Sequence, residues 1–77
     1  MRIIDTIPHP SISISIFHMN DKYIVKFEAG PMEQAFKFFT EDVKSVERLK
    51  TIINEAFIEK VRTRFNDMFL QLKEAQS

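Results

Sequence analysis

The sequence predicts an α+β domain in which a short antiparallel β-meander is followed by one long amphipathic helix. Three observations carry that expectation. Residues 11–19 read S-I-S-I-S-I-F-H-M, a period-two alternation that only a strand presents as two faces. A second alternating run begins at Tyr23 after Asn20-Asp21, and a third follows Gly30-Pro31. From Thr40 to the last residue there is no glycine or proline, while apolar residues recur about every 3.6 positions.

A hairpin with Asn20-Asp21 as its two-residue loop sets His18 opposite Tyr23, Ile16 opposite Val25, Ile14 opposite Phe27 and Ile12 opposite Ala29. All four pairs fall on one face, while Ser15 meets Lys26 and Ser13 meets Glu28 on the other. A slip of one residue mixes the faces, so the register is well determined. Gly30-Pro31 makes the next turn and places Val25 opposite Phe36 and Tyr23 opposite Phe38. It also sets Glu28 against Glu33, an unfavourable pair that a bulge or longer loop would relieve.

Thr40 reads as an N-cap, with Glu41 and Asp42 in the first turn of a helix over residues 41–75. Such a helix runs roughly 50 Å, twice the ~25 Å of a strand in this meander, so half of it has no sheet beneath. Its apolar stripe also rotates. Val46, Leu49, Ile52, Ile53 and Ala56 centre on one side, and Val61, Phe65, Met68, Phe69 and Leu72 centre more than a quarter turn away. The first half reads as the lid of the sheet and the second as a surface for a partner. The alternative is a break near Thr63 or Asn66-Asp67 that folds the last turns back. Residues 1–10 form either a fourth strand or a loosely attached arm, with Pro8-His9-Pro10 forcing an extended connection.

At 77 residues the chain forms a single small domain that buries about 60–65% of its unfolded surface. It has no cysteine and two histidines, which argues against disulfide or metal staples and leaves self-association as the means of burying eight phenylalanines. Eleven acidic and eleven basic residues balance, so no global field draws it to nucleic acid or an anionic membrane. No segment has the apolar length of a signal peptide or a membrane span, and a soluble cytoplasmic protein is expected.

No residue pattern calls for catalysis or a cofactor. The single glycine, Gly30, excludes phosphate-cradling loops, and Ser11, Ser13 and Ser15 lack a nucleophile elbow and a base. His18 reads as a strand-end ring beside Tyr23, and His9 as a loop residue. The basic run Lys60, Arg62, Arg64 and Lys73 reads as a solvated helix face, with Glu59–Arg62 and Arg64–Asp67 as i,i+3 pairs.

Surfaces say more. On the outer sheet face Phe17 and Ile24 oppose each other, Phe39 lies toward the same end, and Lys26 and Lys37 flank them. As an edge, the first strand carries no charge between Ser11 and Phe17 and needs covering by residues 2–7 or another chain. The leading expectation is a homo-oligomer, in the first instance a dimer, acting as a non-catalytic interaction module. Its candidate interface is Val61, Phe65, Met68, Phe69 and Leu72.

A meander followed by a long helix resembles in outline the Pur-alpha repeat and the Whirly family, over residues 12–61, with four strands there against three assigned here. That resemblance implies single-stranded nucleic acid on the sheet, with Phe17 and Phe39 stacking bases and Lys22, Lys26 and Lys37 meeting phosphates. Glu28 and Glu33 share that face and oppose this reading. A small inhibitor or accessory subunit docking by its edge strand is the third class.

Overall fold

The computed structural model describes residues 2–76, and the architecture is the expected one: a four-stranded antiparallel sheet followed by a long C-terminal helix. The strands are β1 (Arg2–Ile7), β2 (Ser13–Met19), β3 (Lys22–Ala29) and β4 (Met32–Phe39), in spatial order β1-β2-β3-β4. The alternation fixes the β2–β3 register as expected, pairing His18 with Tyr23, Ile16 with Val25 and Ile14 with Phe27. Asn20 opens that hairpin at φ 56°, a left-handed conformation that asparagine tolerates. Gly30 opens the next at φ 60° and leads to Val25 opposite Phe36 and Tyr23 opposite Phe38.

Glu28 and Glu33 remain opposed without a bulge. Lys26 lies diagonally across from Glu33 with its Nζ 3.4 Å from the carboxylate, which offsets the repulsion on that edge strand.

The N-terminal segment is a strand, paired to β2 from Arg2–His18 to Ile7–Ile14, with an irregularity between Ile3 and Asp5. The irregularity decides which side chains go inside. In a regular strand Ile3 and Ile7 share a face; one extra residue lets Ile7 join Ile14 on the core face while Ile3 stays opposite Phe17 on the outer one. β1 therefore covers the uncharged edge of β2, and the sheet's edges are β1 and β4.

The helical region corrects the expectation of one unbroken helix over residues 41–75. It is three helices: α1 (Thr40–Val43), α2 (Val46–Ile52) and α3 (Glu55–Gln76). Neither break falls at Thr63 or Asn66-Asp67, which lie inside α3. Lys44 takes φ 77° and ends α1, and the Ser45 hydroxyl then accepts a hydrogen bond from the Arg48 N–H at 3.2 Å, capping α2. Asn54 Oδ1 accepts from the Phe57 N–H at 3.0 Å and caps α3. Thr40 is the first residue of α1 rather than its cap; its N–H donates to the Asp21 carbonyl at 2.8 Å and ties the helix start to the β2–β3 turn.

The breaks account for the rotating stripe. Because the chain turns twice, the apolar faces of all three helices meet one core: Val43 from α1, Leu49 from α2, Ile53 at the corner, and Ile58, Val61 and Phe65 from α3. They close over Ile12, Ile14, Ile16, Val25 and Phe27. Phe57 stacks on Phe27 at 5.9 Å between ring centroids and meets Phe36 edge-on at 5.1 Å. Gln34, facing the core from β4, donates its Nε2 to the Val61 carbonyl at 3.1 Å and fixes where α3 crosses the sheet.

Candidate interaction surfaces

The five residues expected to form a partner surface on the second half of the helix separate into two groups. Val61 is 1% exposed and Phe65 5%, both inside the core, so they are not available to a partner. The rotation that suggested a separate surface is absorbed by the corner at Ile53-Asn54. Met68 packs partly buried against the same core, and Leu72 is half-buried. Phe69 is 47% exposed, with the Lys73 ammonium 5.7 Å from its ring centre. Leu70, which the stripe excluded, is 59% exposed. A leucine outside the core period is the sequence signal that was missed.

On the side of α3 turned away from the sheet, Ala56 and Thr63 form the floor of a shallow groove between the longer side chains of Glu59, Lys60, Arg64 and Asp67. Glu59 is engaged by Arg62, whose Nε donates at 3.3 Å and whose Nη2 makes a shorter contact. That hydrogen bond holds the Glu59 carboxyl below the usual carboxylate range. The Arg64–Asp67 pair expected beside it does not form.

The outer sheet face carries Phe17, Ile24, Phe39, Lys26 and Lys37 together as expected, and no helix packs on it. Ile24 is only 8% exposed because it sits between Phe17 of β2 and the stem of Lys37 of β4. Ile3 extends the row beyond Phe17 and is 56% exposed; Phe39 is 48% exposed, with the Lys22 ammonium 5.8 Å from its ring centre. Lys26 is drawn toward Glu33 at the acidic end of the face.

β1 is tied down at the opposite layer. Asp5 pairs with Lys50 of α2, and its Oδ1 accepts from the Thr6 N–H at 2.8 Å. The Lys50 hydrogen bond first, then that of Thr6, lowers the Asp5 pKa. Beyond β1, the His9 Nδ1 accepts from the N–H groups of Ser11 and Ile12 at 3.1 and 3.2 Å, so His9 shapes the turn that leads into β2. His18 lies 5.4 Å from the Tyr23 ring across the hairpin. Among the described residues no three histidine or acidic side chains converge as metal ligands, and no helix is long and apolar enough to cross a membrane.

No protein-family model matches this chain, and no match was found among curated proteins or solved structures.

Proposed function

We propose that this protein is a small non-catalytic interaction module of the cytoplasm that self-associates, with a dimer as its working unit. The observation that carries the reading is the exposure of two adjacent large apolar side chains, Phe69 and Leu70, on the part of α3 that continues past the core. Adjacent residues on a helix point about 100° apart, so Phe69 widens the core-side stripe while Leu70 lies on the outward face. Burying two such groups favours association by about 1.5–3 kcal/mol each before the entropic cost of binding is counted. The sheet edge expected to take part is now β1, where Ile3 and Ile4 are exposed. Sedimentation at micromolar concentration is expected to give about twice the 9.1 kDa chain mass, and Leu70→Asp to return it to the single-chain mass with unchanged circular dichroism. A wild-type protein that stays monomeric throughout would refute this reading.

A second reading is favoured by the uncovered outer face. Phe17 and Phe39 with Lys22 and Lys37 offer rings and cations at one end of the sheet, which suits a single-stranded nucleic acid. Fluorescence anisotropy with a labelled oligonucleotide at low salt tests it; no change at micromolar protein eliminates it.

A further inference from the structure

We propose that the partner on the outward face of α3 is a second copy of α3, packed antiparallel with its two-fold axis between Thr63 and Arg64. This rests on the self-association proposed above and assigns it a surface and a register. The buried residues Ile58, Val61 and Phe65 define the inward direction of the helix. At 100° per residue, Ala56, Thr63 and Leu70 lie within about 30° of the opposite direction. They are spaced seven apart, so they form a nearly straight line along the helix, all of it exposed.

Charge selects the occupant. Lys60 and Asp67 lie along one flank of that line, also seven apart, and neither forms an ion pair with another described residue. Antiparallel helices bring like flanks together. With the axis between Thr63 and Arg64, Lys60 lies level with the second copy's Asp67, and Asp67 with the second copy's Lys60. The same register sets Leu70 beside Ala56 of the other copy, a long apolar side chain over a short one, at both ends of the contact. Moving the axis to Arg62 sets Lys60 level with Arg64 on that same flank, which juxtaposes like charges. A helix of another protein would have to reproduce this spacing; a second copy carries it by symmetry.

The test is a charge reversal read by analytical ultracentrifugation at low salt. Lys60→Asp or Asp67→Lys alone replaces two attractions per dimer with two repulsions and is expected to weaken self-association roughly tenfold. Lys60→Asp combined with Asp67→Lys should restore the wild-type constant to within about threefold. Because the chain has no cysteine, Thr63→Cys also gives a single reporter beside the axis, expected to oxidise to a covalent dimer while a Glu41→Cys control does not. A wild-type dimer indifferent to both charge reversals, with no cross-link at position 63, overturns this arrangement and leaves self-association standing. A monomeric wild type overturns both.

Discussion

Phe65 is 5% exposed in the layer between α3 and the sheet, and Phe65→Asp both empties that site and places a carboxylate in it. Truncating a buried phenylalanine to alanine costs about 3–5 kcal/mol from lost transfer energy and the residual cavity. The carboxylate must then either stay ionised in an apolar site or be protonated against its ordinary pKa, each adding a further kcal/mol or more. A domain of this length has a total stability of roughly 4–11 kcal/mol. Phe65→Asp is therefore expected to remove most of the folding free energy. Urea titration followed by circular dichroism should show the cooperative transition lost or shifted close to zero denaturant. Phe69→Asp, four residues on and 47% exposed, should leave the midpoint within about 1 kcal/mol of wild type once measured below the dissociation concentration. If Phe65→Asp keeps a wild-type unfolding midpoint and only changes the oligomeric state, α3 does not cross the sheet as described.

The two helix caps should each contribute on their own: Ser45→Ala and Asn54→Ala are expected to cost about 1 kcal/mol apiece in urea unfolding, and no loss at either would disprove its capping role. Gly30→Ala meets no atom within 4 Å, so its cost is that of the left-handed backbone alone, about 1–2 kcal/mol; an unchanged midpoint would mean the turn relaxes freely. The folded Asp5 pKa lies below its unfolded value, so its stabilisation is complete above the ordinary aspartate range and fades as pH falls through the folded value. Lys50→Met should thus be less stable than wild type near neutral pH and converge with it in acid; a gap that persists unchanged in acid would rule out the Asp5–Lys50 pair as its source.

The pairing of β2 with β3, and of β3 with β4, was legible because alternation and two-residue turns are local properties: Ile14, Ile16, Val25 and Phe27 share a face whatever surrounds them. The outer-face group of Phe17, Ile24, Phe39, Lys26 and Lys37 followed from the same parity. The caps at Ser45 and Asn54 were written in the sequence too, as a serine and an asparagine each beginning a helical turn. They were outweighed by a periodicity that runs through them, since each is worth about as much as a single good helix-forming residue or two.

What only the tertiary structure decided is where the apolar stripe of residues 46–72 goes. Periodicity states which residues point the same way within one straight segment; it does not state the angle between segments. A rotated stripe on a straight helix and an aligned stripe on a bent one have the same sequence pattern. The sheet selects the bend, because turning at Lys44-Ser45 and at Ile53-Asn54 lets Leu49, Ile58, Val61 and Phe65 share one core with Phe27. A straight helix would leave Val61 and Phe65 in water. The bulge beside Ile4 reflects the same non-local choice in β1, where Ile7 packs partly buried on the core face opposite Ile14 by displacing the register of a strand whose residues alone favour neither face. The sequence by itself determined β2, β3 and β4, their register and the apolar content of the helices. The packing determined which of those apolar residues remain outside, and left Phe69 and Leu70 there.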